Sequence, residues 1–389
     1  MKKNLFWAAS IACLCASCAN DGVIEENRAS DEIRFKAFAE GSTRAGSVFC
    51  PSNLPTSFTL YASTTDGTII NGDTYTNNGS GVYENSIKRY WPETGTVTFE
   101  ALVNGTKKDD GKVDFTVNAT PASQTDLIYA RTEATKSDTP VALNFRHALS
   151  QIVFKATNTQ DKSLTVKIDE VILGNVKNAG VYELPTANTD DNISEETGHV
   201  GAEDKYKESG RGQWTSTSGS AFYTLTGLNK TLNNTTNSVE LSAANGAGAL
   251  MLIPGATTAW DKTAMDLSNI SSISGTFFLL KVTISQTVKE GEAPAYIWGT
   301  ETASKYIAIP VSFDWKEGKR YVYTFSFGNG TGGIDPEDPT KPVFVPITFN
   351  VTVDEFVPVN GDIKVEETPA TPAAPEENGG EEGGENAGE

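Results

Sequence analysis

The 389-residue sequence has few of the residues most often used for catalysis and metal binding: two histidines, four cysteines and three methionines. Histidine is the commonest general base and metal ligand, so this chemistry has little to draw on. His147 lies in a patterned apolar segment and His199 in a polar loop, and neither has metal-ligand spacing to the other. We therefore expect no enzymatic activity, no metal and no cofactor.

Basic residues are also scarce. The chain has 31 Lys and Arg against 50 Asp and Glu, a net charge of −19. Nucleic-acid binding needs a basic surface, so no nucleic-acid partner is expected. Nine acidic residues and one lysine follow Gly361, in a segment of Pro, Ala, Glu and Gly without apolar periodicity. We predict that residues 361–389 form a disordered acidic tail.

The N-terminus has the pattern of an export signal. A basic start is followed by an apolar stretch at residues 5–15, too short to span a bilayer. Small residues then precede Cys18, which resembles the lipoprotein signal of bacteria, although Cys15 stands where leucine is usual. Residues 1–17 would be removed, and a lipid on Cys18 would anchor the precursor in the outer membrane. An ordinary secretory signal is the alternative. Either way, the sequence predicts no disulfide framework.

Sustained helical periodicity is missing from the first half of the chain. Short segments with period-2 alternation recur instead, separated by turn signals at Asn71, Asn78, Asn104 and Asp110. The predicted strands cover residues 33–37, 57–62, 81–83, 87–91, 96–103, 112–117, 126–130, 141–145, 152–154, 164–173, 180–182, 220–225, 249–253, 275–284, 306–311, 320–327 and 347–353. A bend is expected at residues 147–150, and a polar surface loop between residues 183 and 214. The pattern is typical of all-β sandwiches, here two halves in tandem.

The C-terminal strand has the clearest alternation. Ile347, Phe349, Val351 and Val353 share one face, and polar residues occupy the other. Glycines and prolines at residues 328–342 form a tether before it. Such a strand either pairs back onto its own domain or completes the sheet of another molecule, and we favour the second.

A second alternating strand lies near the N-terminus, with Ile33, Phe35 and Ala37 on one face. The small, polar residues that follow it, 40–46, predict an exposed loop containing Arg44. Exposed loop tips of this kind are where proteases cut. An exposed arginine without processing is the alternative.

Several of these segments together resemble a known family. The runs at residues 126–130, 141–154, 250–254, 315–321 and 346–353 resemble, in that order, motifs of the fimbrillin family, the Mfa-like pilins of type V pili. The resemblance extends over most of residues 90–357. It implies two transthyretin-like β-sandwich domains in tandem, with a C-terminal extension strand.

The family resemblance also implies a route of assembly. Fimbrillins are lipoprotein precursors; an arginine-specific protease removes the first strand, and the C-terminal strand of the next subunit fills the groove. Here the lipidated residue would be Cys18 and the cut bond Arg44–Ala45. Arg28 and Arg34 are competing sites, but only a cut at Arg44 releases the whole first strand.

These inferences divide the chain into six parts. They are a signal peptide at 1–17, a spacer with the removable strand at 18–44, β-sandwiches at 45–140 and 141–341, the donor strand at 342–360, and the tail at 361–389.

The expected function is that of a structural pilin subunit of a cell-surface fimbrium. Its partners would be other fimbrillin subunits, the arginine-specific protease and the outer membrane. The alternative is a monomeric surface lipoprotein that uses the same sandwiches to bind a glycan or host ligand. Exposed aromatic residues clustered on one sheet face would favour that alternative.

Overall fold

The computed structural model describes residues 31–39, 54–79, 81–158, 163–189, 211–242, 249–287, 289, 291–328, 333–340 and 347–355. The predicted signal peptide, Cys18, Arg44, Ala45 and the acidic tail lie outside these residues. The statements about them therefore remain predictions.

Strands account for nearly all the regular structure of the described residues. In chain order they are β1 (Phe35–Ala39), β2 (Ser57–Thr64), β3 (Gly67–Asn77), β4 (Val82–Glu84), β5 (Thr96–Val103), β6 (Lys112–Thr116), β7 (Ile128–Thr135), β8 (Val141–His147), β9 (Ser150–Thr157), β10 (Leu164–Val176), β11 (Ala179–Glu183), β12 (Gln213–Ser218), β13 (Ala221–Leu225), β14 (Lys230–Leu232), β15 (Ser238–Glu240), β16 (Leu250–Leu252), β17 (Gly255–Ala256), β18 (Phe277–Gln286), β19 (Ala295–Trp298), β20 (Lys305–Pro310), β21 (Asp314–Trp315), β22 (Lys319–Phe327) and β23 (Ile347–Glu355). The described helical turns are two 3₁₀ turns, Pro121–Ser123 and Ile270–Ser272. No helix among the described residues has the length and apolar character needed to cross a membrane.

The N-terminal strands close into a barrel in the order β1-β4-β3-β2-β5-β7-β8. The pairings are antiparallel except between β1 and β8, which run parallel. Alternating apolar residues fill the interior because successive side chains of a strand point to opposite faces. The largest of the buried interior side chains are Phe35, Phe58, Tyr75, Tyr83, Trp91, Phe99 and Phe145.

The rest of the chain builds a β-sandwich. One sheet has the order β15-β9-β22-β23, with β16 also on β9; the other has the order β13-β10-β18-β19, with β14 on β10 and β20 on β18. Aromatic rings join the two sheets: the ring centroid of Phe278 on β18 lies 5.6 Å from that of Phe154 and 5.2 Å from that of Phe325. The predicted all-β sandwich fold is therefore confirmed.

Two connections link the barrel with the sandwich. The bend predicted at residues 147–150 is confirmed, because β8 ends at His147 in the barrel and β9 begins at Ser150 in the sandwich. Strand β6 pairs with β11, which also pairs with β12. Sheet pairings therefore cross the predicted boundary at residues 140 and 141, and the division into two tandem domains remains a prediction.

Two local predictions in the barrel were wrong. Asn71 lies inside β3 rather than in a turn; Gly72 has a φ of 83°, and the β2–β3 register shifts at the adjacent pair, which is a β-bulge. Residues 87–91 form no strand, only an isolated bridge between Tyr90 and Glu32. Their alternation is that of an irregular segment, with Trp91 buried and Ile87 exposed.

Candidate functional site

The first strand, β1, is inserted between β4 and β8 and closes the barrel. It pairs in parallel with β8 from Phe35 opposite Val141 to Ala39 opposite Phe145. On its other side, Phe35 is opposite Tyr83 of β4. The Val141 amide donates to the Arg34 carbonyl at 2.7 Å, which extends the ladder by one residue. Both edges of β1 are therefore engaged.

The apolar side chains of this first strand are fully inside the barrel. Ile33 is 4% exposed, and Phe35 and Ala37 are 0% exposed, so the predicted inward face is confirmed. The Phe35 ring meets Tyr75 and Phe99 edge to face, with centroids 5.0 and 5.4 Å away. Burial of an Ile or Phe side chain is worth about 1.5–3 kcal/mol each. This burial and the two ladders hold β1 in place.

Charged contacts tie down the residues just before β1. Asp31 pairs with Lys136 at 2.6 Å and Glu32 with Lys88 at 2.7 Å. Arg34, exposed on the outer face, donates from its guanidinium to the Asp138 carbonyl. Exposed ion pairs typically contribute about 0–1 kcal/mol. These contacts therefore position the start of β1, but they contribute little to its stability.

Two buried tyrosines line the groove that β1 occupies. Burial, and then the negative charge of Asp73, raises the pKa of Tyr75 to about 12. Burial also raises the pKa of Tyr83 to about 12, and its hydroxyl donates to the Pro55 carbonyl at 2.5 Å. Both hydroxyls are therefore neutral at physiological pH, as an apolar groove requires.

β1 is also the main partner of β8. Among the described strands, β7 pairs with β8 only at the last two residues of β8, Arg146 and His147. Residues 141–145 pair with β1 alone. Loss of β1 would therefore uncover an apolar groove bounded by β4 and by the first five residues of β8.

The C-terminal strand lies at the edge of the sandwich. β23 pairs antiparallel with β22 from Ile347 opposite Phe327 to Glu355 opposite Lys319. Ile347 is buried, and the half-buried Phe349 packs near Phe278, with ring centroids 6.2 Å apart. The predicted strand is thus confirmed, and it pairs within its own chain, which is the first of the two arrangements left open by the sequence.

Half of the apolar face of β23 is nevertheless uncovered. Val351 is 45% exposed and Val353 is 56% exposed, although their β22 partners Tyr323 and Tyr321 are buried. Residues directly opposite in an antiparallel ladder point to the same face. The two valines therefore share a face with buried tyrosines but are themselves exposed.

The two terminal strands share one pattern. β1 and the residues before it read Ile33-x-Phe35-x-Ala37, and β23 begins Ile347-x-Phe349-x-Val351. The isoleucine and phenylalanine have the same spacing and the same alternation. A strand with the pattern of β23 can therefore present an Ile and a Phe where β1 presents them.

A cleft of about 690 Å³ at the junction of barrel and sandwich was not predicted from the sequence; its lining includes Arg211, Trp214, Trp315 and Glu317. Glu317 is buried, and its carboxylate accepts hydrogen bonds from the hydroxyls of Tyr129 and Tyr182 at 3.1 and 3.0 Å. The Arg211 guanidinium lies 3.6 Å from the same carboxylate. Burial raises the pKa of both tyrosines. Glu317 thus joins a tyrosine of the barrel strand β7 to a tyrosine of β11, so the cluster is a structural tie between these parts of the chain.

The residues considered for other functions are dispersed. The His147 Nδ1 contacts the Asp126 carboxylate, and both side chains are largely buried. The tryptophans at strand ends pack rather than face solvent: Trp91 and Trp315 are buried, and Trp298 is half-buried against the sandwich core. Among the described residues, the large exposed aromatics are Tyr90, in the barrel half, and Tyr296, on β19 of the sandwich, so they do not share a sheet face.

The structure is that of an all-β protein whose first strand closes the barrel and whose last strand is half-exposed at the edge of the sandwich. The sequence profile of the fimbrillin-like family matches residues 52–341, three quarters of the chain. The chain belongs to the fimbrillin-like family, as its motifs predicted. This membership supports a structural, non-enzymatic pilin or adhesion role at the cell surface.

Solved structures that match the chain come from species of Bacteroides and Parabacteroides. A fimbrial protein from Bacteroides vulgatus is 15% identical, with a TM-score of 0.46, and the match covers 83% of this chain and 99% of that one. A protein from Bacteroides uniformis assigned to cell adhesion is 14% identical, with a TM-score of 0.39 and coverage of 84% and 98%. No curated protein matches the sequence significantly.

Proposed function

We propose that this chain is a structural subunit of a cell-surface fimbrium, exported as a lipoprotein precursor through Cys18 and assembled by protease-triggered strand exchange. A cut at Arg44–Ala45 would separate β1 from the rest of the chain. The strand β23 of another copy would then enter between β4 and β8. The proposal rests above all on one observation: β1 closes the barrel by noncovalent contacts that a strand of the same apolar spacing can reproduce.

The register of the exchanged strand follows from the side chains. Phe349 would take the place of Phe35 against Tyr75 and Phe99, because an aromatic ring fits that fully buried position best. Ile347 would then replace Ile33. The outward residues Thr348 and Asn350 would replace Arg34 and Lys36, which are exposed on β1.

The driving force comes from surface that β23 leaves exposed in its own chain. Ile347 is already buried there, so moving it gains little. Phe349 is half-buried there, and at the position of Phe35 the groove would bury it fully. Full burial of such a side chain is worth about 1.5–3 kcal/mol before ordering costs. Filling the vacant β4 and β8 edges adds to it.

The choice of Arg44 rather than Arg34 as the cleavage site follows from the access that a protease would have to each backbone. Arg34 is bonded into the barrel through its carbonyl, which accepts from the Val141 amide. A protease needs a free, extended backbone, so the folded precursor protects Arg34. A cut at Arg44 leaves β1 intact as a separate peptide that can be displaced.

The test is treatment of the purified chain with an arginine-specific protease, followed by gel electrophoresis without boiling. We expect a ladder of multimers from the cut chain and monomer from the uncut chain and from Arg44→Lys. Phe349→Asp should abolish the ladder, while Asn350→Asp, which adds the same charge to the exposed face of the same strand, should retain it. Equal ladders from the two Asp variants would contradict the proposal.

A further inference from the structure

The groove that β1 occupies contains three side-chain positions of different size. The first and second hold Ile33 and Phe35, and the third holds only Ala37, which is 0% exposed. The equivalent residue of β23 in the register proposed above is Val351, which is larger by two methyl groups. The chain's own donor strand therefore matches its own groove at two positions and differs at the third.

An aromatic side chain belongs to the same buried barrel core as Ala37. Phe58 of β2 lies with its ring centroid 4.8 Å from that of Tyr83, which is opposite Phe35, and 5.4 Å from that of Phe145, which is opposite Ala39. Phe58 thus spans the level of the barrel at which Ala37 stands. It is 2% exposed, and Leu143, opposite Ala37, is 0% exposed.

Small and large residues therefore alternate across this part of the barrel. Protein interiors are close-packed, and extra methyl groups inserted into a packed interior are net destabilising. Phe58 and Leu143 are the large buried side chains at the level of the third position.

We infer that the groove selects its partner at this third position, and that its best-fitting donor is a fimbrillin strand with Ile, Phe and then alanine or another small residue at alternate positions. This inference rests on the strand exchange proposed above. The chain's own strand, with Val351, is a weaker donor to its own groove. A mixed filament, in which this subunit accepts the strand of a different subunit, is then favoured over a filament of this chain alone.

The size of the position can be measured without any assembly. Ala37→Val in the uncut chain should lower the melting temperature by several degrees, because the methyl groups meet Phe58 and Leu143. Ala142→Val is the matched control, since Ala142 is exposed on the adjacent strand and pairs with Lys36. Equal melting temperatures for the two variants would show that the position has room, and would overturn the inference.

The selectivity is measured with peptides. The acceptor is the full chain carrying Phe349→Asp, so that it cannot donate, cut at Arg44. The probes are two fluorescent peptides of residues 347–355, one with the natural sequence and one with Val351→Ala. We expect the alanine peptide to bind about tenfold more tightly, the scale that about 1.4 kcal/mol of relieved overpacking would give.

The outcomes separate this inference from the proposed function. Equal binding of both peptides, or tighter binding of the natural one, overturns the selectivity and leaves strand exchange standing. If neither peptide enters an acceptor from which β1 has been released, strand exchange itself fails, and the inference fails with it.

Discussion

Phe35 is the residue on which the barrel end depends most. Its ring is fully buried and makes edge-to-face contacts with Tyr75 and Phe99, and Phe99 in turn meets Trp91 at 5.7 Å. Phe349 has the corresponding place in β23 but is only half-buried there. The same residue type is thus a core residue in one terminal strand and an edge residue in the other.

The first prediction compares these two phenylalanines in the uncut chain. Phe35→Ala should lower the free energy of unfolding by about 3–5 kcal/mol, because it leaves a cavity among packed rings. Phe349→Ala should cost less than half as much, since its ring is partly solvated. Denaturant unfolding monitored by tryptophan fluorescence measures both. Equal losses would show that β23 is seated as firmly as β1.

The second prediction concerns pH. Tyr75 and Tyr83 have pKa values raised from 10 to about 12 by burial. A raised pKa in the folded state means that the stability linked to it is complete below pH 10 and is lost as the pH rises toward 12. We expect the barrel to lose stability across this interval.

The measurement is the rate of β1 release from the cut chain as a function of pH between 9 and 12. Release should accelerate above pH 10 in the natural chain, and less steeply in Tyr75→Phe, which removes one of the two titrating groups. A release rate that is the same at pH 9 and pH 12 would contradict this assignment.

At the scale of elements, β8 depends on β1. Residues 141–145 pair only with β1 among the described strands. A strand without a ladder partner exposes its amides to solvent and opens locally at low cost. Removal of β1 should therefore also destabilise β8, and the incoming donor strand would have to pair with β8 to restore its order.

The third prediction follows for hydrogen exchange. After cleavage and release of β1, the amides of residues 141–145 should exchange much faster than before, while those of β10, held between β13 and β18, should remain protected. Hydrogen–deuterium exchange with mass spectrometry resolves both segments. Unchanged protection of residues 141–145 after release would mean that another contact holds β8.

The strands themselves could largely be predicted from the sequence because their apolar residues alternate with period 2, as in β5 and β22. β3 was not predicted because a bulge at Gly72 interrupts its alternation. In addition, the pair Asn71-Gly72 has the composition of a hairpin turn. The false strand at residues 87–91 shows the reverse: its residues alternate, but it pairs only through the single bridge between Tyr90 and Glu32.

The pairing of strands could not be predicted in the same way. β1 lies beside β8, which follows it by more than a hundred residues in the chain. No sequence pattern in either segment identifies the other as its pairing partner. The same holds for the exposed half of β23: the alternation of Ile347, Phe349, Val351 and Val353 is regular, but Ile347 is buried and the two valines are exposed. The hydrogen bonds around Glu317 join residues that are far apart in the sequence, and no sequence pattern predicts them.

For the whole molecule, family membership and strand arrangement support one account. The chain is a fimbrillin-like, all-β protein. Its barrel is closed by the first described strand, β1, and its sandwich ends in a strand, β23, with half of its apolar face exposed. In the proposed assembly, one cut after β1 would make the chain both an acceptor and a donor of a strand.

The most direct test of this account is a disulfide between chains at the proposed register. Asn350 of the donor should lie where Lys36 was, beside Ala142 of the acceptor; in its own chain it lies opposite Thr324. Neighbouring strands bring Cα atoms close enough for a disulfide. The chains are made without residues 1–18 and with Cys50→Ser, and one carries Ala142→Cys while the other carries Asn350→Cys.

After cleavage at Arg44 and mild oxidation of the mixture, strand exchange predicts a disulfide-linked heterodimer that is missing from the uncut mixture. A chain with both Thr324→Cys and Asn350→Cys reports the resting position of β23. If that internal disulfide forms equally before and after cleavage, and no heterodimer forms through Ala142→Cys, then β23 stays on its own sheet and the account is wrong.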